Sequence, residues 1–298
     1  MKLSEPVKGT IAIGLSAILW GFDGVVLTPR LYNLDVGYVV FILHALPFLL
    51  MNLFLFRQYK ELQYFTKQDY ITLLLIALFG GSIGTIAIVK ALFLVQFNNL
   101  SVVVLLQKLQ PIFAIALAAL LLKEKIRKNF FLWASLAIVS SYFLTFGWNI
   151  PDFESDKNTI LASVLAVVAA FSFGSSTVFS KSLLKHHNFV TATFFRYGFT
   201  TIIMLAYVIL FNKLDQFNLT TPQNWLFFFI IGITTGSGAI FVYYYGLRRV
   251  KAMEATISEL LFPVSAIFFD YLINDNLLSP VQFIAAGVMI FALIKLTL

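Results

Sequence analysis

Long apolar runs alternate with short polar connections along the whole chain. Ten of these runs approach the roughly 20 residues that a helix needs to cross the hydrocarbon core of a bilayer. They cover residues 9–28, 38–56, 70–92, 100–122, 129–147, 159–183, 190–211, 223–247, 252–273 and 280–298. The weakest boundary is the polar stretch at residues 96–101, between the third and fourth runs. The pattern predicts an all-α integral membrane protein with ten transmembrane helices.

The composition excludes several other classes of protein. Of 298 residues, 60% are hydrophobic and only 12% are charged, whereas soluble domains carry about 25% charged residues. The absence of cysteine excludes disulfides, thiol nucleophiles and iron–sulfur clusters. Three dispersed histidines, His44, His186 and His187, do not predict a zinc site. We therefore expect neither a metal ion nor a cofactor.

The positions of the charges predict an orientation in the membrane. With the N-terminus inside, fifteen of the 21 lysines and arginines fall in cytoplasmic segments and three fall outside. The remaining three, Lys90, Lys108 and Arg196, lie within the runs. This asymmetry predicts cytoplasmic N- and C-termini in the cell inner membrane. Because the charges lie in short loops rather than on one face, the net charge of +7 does not indicate nucleic-acid binding.

The two halves of the chain, 1–150 and 151–298, share a pattern and are interpreted as two five-helix repeats. Three sets of positions correspond: Trp20-Gly21 with Phe173-Gly174, Gly81-Ser82 with Gly236-Ser237, and Pro111 with Pro263. Because each half has an odd number of predicted spans, the second half inserts inverted relative to the first. Inverted repeats supply two gates around one midplane site and are typical of secondary transporters. The alternative is the duplication of a purely structural bundle.

Several of these positions match a family pattern. Residues Ala17 to Gly21 read A-x-x-W-G, Lys181 follows Gly174 by seven residues, and Pro111 to Glu124 contains P-x-x-A followed by L-L-x-K-E. In this order, and repeated in both halves, they resemble the EamA branch of the drug/metabolite transporter superfamily. The resemblance implies a ten-helix fold with cytoplasmic termini and a central cavity lined mainly by spans 1, 3, 4, 6, 8 and 9. It also implies alternating access between the halves.

Two departures limit what the resemblance implies. The second half has Asn276 where the first has Glu124, and His44 in span two stands near the place where span seven has Arg196. No role that requires an acid at position 276 or an arginine in span two is therefore expected. The best-known bacterial members of this branch resemble exporters of amino acids and metabolites, but the superfamily covers many substrates, so the resemblance implies the class of mechanism only.

Polar side chains inside the predicted spans are the candidates for substrate binding, since a charge in the bilayer is costly unless it meets water, a partner or a substrate. They are Trp20, Asp23, Lys90, Gln107, Lys108, Gln110, Tyr244 and Glu259. Pro111 and Pro263 are expected to break their helices and to free carbonyl groups there. The alternative is that Lys108 pairs with Glu259, or Lys90 with Asp23, only to fix helix packing.

Two further groups have open assignments. Arg196 and Glu254 are candidates for a gating pair near the cytoplasmic side. Tyr243, Tyr244 and Tyr245 are consecutive, and only one or two can face inward because successive helical residues are about 100° apart. The run is interpreted either as an aromatic belt at the membrane interface or as part of the cavity lining.

The sequence predicts a secondary transporter, since it contains no phosphate-binding loop of the G-x-x-x-x-G-K-[ST] type. Balanced acidic, basic and amide groups favour an amino acid or a related zwitterionic metabolite as the substrate, and Asp23 and Glu259 are possible proton carriers. The expected partners are this substrate and the lipid bilayer, and the expected state is a monomer or weak dimer. The alternatives are a facilitative channel, a lipid or drug translocator, or, with no catalytic motif to support it, a membrane-embedded enzyme.

Overall fold

The structure, a computed structural model, describes residues 3–95, 103, 106–125, 128–150, 157–274 and 279–297. Within these residues it is helical and contains no β-strand. Seven helices are long and apolar enough to cross a membrane: α1 (Glu5–Leu31), α2 (Val36–Tyr64), α3 (Lys67–Leu94), α6 (Lys157–Leu183), α7 (Phe189–Leu210), α8 (Pro222–Leu247) and α9 (Ala252–Ile273). The described residues also contain three shorter apolar helices, α4 (Gln110–Leu121), α5 (Phe130–Phe146) and α10 (Pro280–Leu296), and a single helical turn at Gln216–Leu219.

The predicted all-α class is confirmed, whereas ten spanning helices and cytoplasmic termini stay predictions. The described part of α4 has 12 residues, which corresponds to about 18 Å of helix and is shorter than a bilayer core of about 30 Å. Most of the residues predicted to begin this span, and position 276, lie outside the described residues. The α-helical part of α2, Val36–Leu55, agrees with the predicted run 38–56, and a 3-10 helix continues it to Tyr64.

The helices pack in pairs that are the same for both halves of the chain. Helix α1 packs against α8 and α9, and α6 packs in the same way against α3 and α4. Helix α2 crosses α7, and α5 lies along α10. Exchanging the first five helices for the last five therefore leaves this set of pairs unchanged. This symmetry of packing is what an inverted repeat requires. The exact division of the chain at residue 150 stays a prediction.

Glycine allows a close helix crossing at corresponding positions of the two halves. A methyl group on Gly21 of α1 would lie 3.0 Å from the carbonyl oxygen of Phe262 in α9. A methyl group on Gly174 of α6 would lie equally close to the carbonyl oxygen of Gln110 in α4. In both halves this carbonyl belongs to the residue directly before the proline of the contacted helix. Small residues let two backbones approach without a cost in packing, as is common between membrane helices.

Helices α3 and α8 each contain a π-helical turn at corresponding positions. The turns cover Ala77–Ile83 and Gly232–Gly236. In the first turn Ser82, and directly after the second turn Ser237, donates its hydroxyl to the carbonyl five residues earlier, at 3.0 Å and 2.7 Å. The hydroxyl satisfies a carbonyl that the widened turn leaves with weaker backbone bonding. The shared Gly-Ser pattern of the two halves therefore marks a local widening of both helices.

The connections at the two ends of the bundle also correspond. Helices α3 and α8 both begin with a capping box. The acidic member of the first box, Asp69, lies 3.3 Å from the ring of His187 in the α6–α7 connection. In the second box, Asn224 donates to Asn33 in the α1–α2 connection at 3.0 Å. One end of the bundle is thus joined by a carboxylate and an imidazole, and the other end by two amides.

We expect Gly21→Ala and Gly174→Ala each to destabilise the protein by about 1–3 kcal/mol, because each added methyl group meets backbone atoms that cannot rotate away. Gly21→Ala should have the larger effect, since its methyl group would also lie 2.8 Å from the amide nitrogen of Ala266 and would overlap the Ser265 hydroxyl. Thermal unfolding of the purified protein in detergent, followed by size exclusion, measures the effect. Gly287→Ala is the matched control, since a methyl group there has no atom within 4 Å. A loss of stability in only one of the two glycine variants would contradict the equivalence of the two crossings.

Candidate functional site

Polar side chains from four helices meet around the carboxylate of Glu259. The Tyr243 hydroxyl of α8 donates to one carboxylate oxygen at 2.5 Å, and the Gln110 amide of α4 donates to the other at 2.7 Å. The Thr177 hydroxyl of α6 lies 3.0 Å from the Tyr243 oxygen. Because the proton of Tyr243 is directed to Glu259, Thr177 is the donor of that bond. The ring of Trp20 in α1 lies 5.4 Å from the ring of Tyr243, centroid to centroid.

A second group of bonds forms around the neighbouring tyrosine. The Tyr244 hydroxyl lies 2.6 Å from the Ser180 hydroxyl of α6 and accepts a bond of 3.0 Å from the guanidinium of Arg196 in α7. Tyr244 is fully buried and Arg196 is 9% exposed. The two tyrosine rings lie 6.0 Å apart. We call Gln110, Thr177, Ser180, Arg196, Tyr243, Tyr244 and Glu259 the central polar cluster.

An interruption of α9 positions Glu259. The helix runs to Ser258, turns at Glu259 and Leu260, and resumes at Leu261, shortly before Pro263. The Leu260 and Phe262 amides make short-range bonds to residues three positions earlier. Proline lacks an amide hydrogen and cannot bond the preceding turn, so the helix tightens there. A similar turn directly precedes α4, before Pro111, and the two breaks bring Gln110 and Glu259 together.

The three consecutive tyrosines divide between the core and the periphery. Tyr243 faces Glu259 and Trp20, and Tyr244 faces α6 and α7. Tyr245 is half-buried, and the guanidinium of Arg249 lies 3.5 Å above its ring. The interpretation of the run as an interfacial belt therefore fits only Tyr245.

The structure separates the predicted basic candidates from the acidic ones. Lys108 donates to the backbone carbonyl of Ser141 at 3.0 Å and to the hydroxyl of Thr145, both in α5. Lys90 is exposed. Among the described residues neither lysine forms an ion pair with Glu259 or Asp23, so both proposed packing pairs are wrong. Lys108 instead joins α4 to α5.

Of the remaining candidates, Asp23, Gln107 and Glu254 lie outside the cluster. Asp23 begins a π-helical turn of α1 and accepts a bond from Thr28 at 3.1 Å. Gln107 is half-buried in the turn before α4. Arg196 bonds Tyr244, whereas the Glu254 carboxylate accepts from the Lys251 amide at the start of α9. The two members of the predicted gating pair therefore bond different partners.

Sequence reasoning missed three members of the cluster as binding residues: Thr177, Ser180 and Tyr243. A usable signal was present in α6, where serines recur every four positions at Ser172, Ser176 and Ser180 within an apolar helix. Such spacing places them on one face. The sequence does not show which of the adjacent residues Tyr243 and Tyr244 bonds Glu259. Their orientation depends on the π-helical turn that precedes both in α8.

Five of the seven members of the cluster have an apolar residue or glycine at the corresponding position of the other half, whereas Glu259 corresponds to the polar Gln107. By the pairing of the two halves, Thr177 corresponds to Gly24, and Tyr243 and Tyr244 correspond to Ile88 and Val89. A fold requirement would place polar groups in both halves. The cluster is therefore a feature of one side of the bundle, superimposed on a symmetric packing.

The fold and the cluster define a polytopic membrane protein with a hydrogen-bonded polar centre inside an apolar bundle. The sequence profile of the EamA-like transporter family matches residues 7–146 and again residues 160–298. The chain belongs to this family. It is consequently a multi-pass membrane transporter and not an enzyme.

Individual relatives agree with this assignment. The chain is 51% identical over 296 residues to the riboflavin transporter ImpX of Fusobacterium nucleatum, covering 99% of both chains. It is 24% identical to the uncharacterized transporter YoaV of Bacillus subtilis, covering 89% of this chain and 88% of that protein. A crystal structure with 18% sequence identity superposes with a TM-score of 0.69, covering 96% and 95% of the two chains, and shows the shared fold.

We expect Tyr243→Phe to lower the free energy of unfolding by about 1–3 kcal/mol, because it removes a donor from a buried carboxylate and an acceptor from Thr177. Tyr245→Phe is the matched control and should change stability little, since its ring lies at the periphery. Unfolding of the purified variants in detergent gives the comparison. Equal stability of the two variants would show that the bond to Glu259 does not stabilise this conformation.

Proposed function

We propose that this protein is a secondary carrier that moves riboflavin, or a closely related flavin, across the cytoplasmic membrane. The observation that carries the proposal is the 51% identity, over 99% of both chains, to a protein named as a riboflavin transporter. Nearly full coverage means that the similarity extends through every helix that contributes to the central polar cluster. The absence of a phosphate-binding loop motif from the sequence supports transport without ATP.

The chemistry of the cluster suits such a substrate. Riboflavin combines a flat aromatic ring system with a hydroxylated chain and carries no net charge at neutral pH. The cluster offers hydroxyl and amide groups from Thr177, Ser180 and Gln110, which can exchange hydrogen bonds with a polyol. Trp20 and Tyr243 present aromatic rings next to these groups, and stacked or edge-to-face contacts with a flat ring are favourable there.

The expectation of an amino-acid substrate has no support from the relatives. A zwitterion would require a free cation and a free anion at the site. Arg196 and Glu259, the charged members of the cluster, each already bond a tyrosine hydroxyl. A flavin is therefore the proposed substrate, and amino acids serve as competitors in the transport assay.

Alternating access between the halves is the mechanism that we propose. The exchange symmetry of the helix pairs supports it, because two equivalent packings let the bundle open at either end. The Gln110–Glu259 bond joins α4 to α9, which are equivalent helices of the two halves. A substrate that replaces this bond would loosen one half from the other. Asp23 and Glu259 remain the candidates for proton coupling.

Purified protein in liposomes should take up labelled riboflavin in a saturable manner, and faster when unlabelled riboflavin is present on the opposite side. Amino acids should neither compete nor stimulate. Stimulation by amino acids alone would overturn the choice of substrate. Flux that does not saturate and shows no stimulation from the opposite side would favour a channel.

We expect Glu259→Gln to lower riboflavin exchange by at least about ten-fold with little change in the unfolding temperature, because the carboxylate is close to isosteric with the amide but loses its charge. Glu61→Gln, in the 3-10 helical end of α2, is the matched control for a change of charge. Transport by each variant is compared at equal amounts of folded protein. A parallel loss of transport and stability would assign Glu259 to packing alone.

A further inference from the structure

Two charged side chains hold the turn between α8 and α9 from opposite sides. The first is Lys181, near the end of α6. Its ammonium donates to the carbonyl oxygens of Leu247 at 2.8 Å and of Arg248 at 3.1 Å. Both carbonyls belong to the C-terminal end of α8. A cation at this end is stabilised by the helix dipole as well as by the two bonds.

The second side chain is Glu124, which follows α4. Its two carboxylate oxygens accept from the backbone amides of Ala252 at 2.9 Å and of Met253 at 3.2 Å. These amides are at the N-terminal end of α9, where an anion is favoured and where helix donors have no partner within the helix. A third bond, from the Lys251 ammonium to the carbonyl of Lys125 at 2.7 Å, joins the same two segments.

The held turn controls the geometry of the central polar cluster. Tyr243 lies on α8 just before the turn, and Glu259 lies on α9 just after it. Lys181 follows Ser180, the partner of Tyr244, by one residue. Any movement that opens this end of the bundle by separating α8 and α9 from α4 and α6 must therefore break the bonds of both charged side chains.

The equivalent positions of the other half lack these charges. By the pairing of the halves, Lys181 corresponds to Thr28 and Glu124 corresponds to Asn276, which lies outside the described residues. The charged contacts are therefore specific to the end of the bundle that carries the α8–α9 turn. By the distribution of lysine and arginine, this end is the predicted cytoplasmic one.

We propose that Lys181 and Glu124 form a one-sided latch that holds this end closed in the empty transporter and so determines which side the empty site faces. The proposal rests on the alternating access proposed above. The latch acts by positioning α8 and α9, and neither side chain contacts the substrate. Transport requires that the latch open and close once in each cycle.

The absence of cysteine from the sequence allows a direct test by labelling. Ser258→Cys places one buried thiol between the latch and Glu259, with the native side chain 3% exposed. Its reaction with a membrane-impermeant maleimide is measured in inside-out and right-side-out vesicles without substrate. A cysteine at the exposed position Lys128, on the same end, identifies the vesicle side on which the latch lies.

In the Ser258→Cys variant, Lys181→Met and Glu124→Gln should each raise labelling from the latch side by about ten-fold. This is the change in the equilibrium between closed and open states that the loss of one charge-assisted hydrogen bond produces. Labelling from the opposite side should fall or stay constant. Lys181→Arg should retain slow labelling. Lys185→Met, at an exposed lysine near the end of α6, is the matched control.

Unchanged labelling in both latch variants would overturn the proposal. An equal rise from both sides would also overturn it, because that result indicates general loosening rather than opening of one end. If Glu124→Gln fails to fold, Lys181→Met and Glu124→Asp give the same comparison. Because labelling requires no substrate, the two proposals are tested separately. Failure of riboflavin transport would reject the proposed substrate but would not bear on the latch.

Discussion

A carboxylate among apolar helices must find donors for both of its oxygens, and this constraint on Glu259 organises the centre of the protein. Gln110 and Tyr243 satisfy it directly, and Thr177 completes the bonding of Tyr243. An unpaired carboxylate in such surroundings would be strongly unfavourable. Hydrogen bonds centred on this one side chain therefore link helices α4, α6, α8 and α9. A substrate that enters must supply equivalent donors, and this exchange of bonds links binding to movement.

Much of the architecture follows from the sequence, because apolar length, glycine and proline act locally. The pairing of Gly21 with Gly174 and of Pro111 with Pro263 anticipated two equivalent helix crossings, and the structure shows both. The partner of Lys108 could not be predicted, because its bonds lead to a backbone carbonyl and a hydroxyl of α5, groups that occur in every helix. Side-chain direction depends on helix rotation, which the sequence pattern of a uniformly apolar helix does not specify.

Symmetry and its local loss have different roles in this molecule. The backbone crossings, the π-helical turns and the capped helix starts are repeated in both halves, and they define a bundle with two equivalent ends. The polar cluster and the charges at the α8–α9 turn occur in one arrangement only. A duplicated fold lets the bundle move in two equivalent ways. The side chains that have no counterpart in the other half provide the direction of that movement and the selectivity for a substrate. Relatives with the same fold can therefore differ in substrate through few positions.

The π-helical turn of α8 has a consequence for how the chain tolerates change in length. Such a turn accommodates about one residue more than an α-helical turn, and one residue corresponds to about 100° of rotation. The segment after Gly232–Gly236 is thus rotated relative to the segment before it. Tyr243 and Tyr244 face the core because of this phase change. Loss of a single residue from the turn would leave α8 intact as a helix, while directing a different face of its second half, and different chemistry, toward the centre.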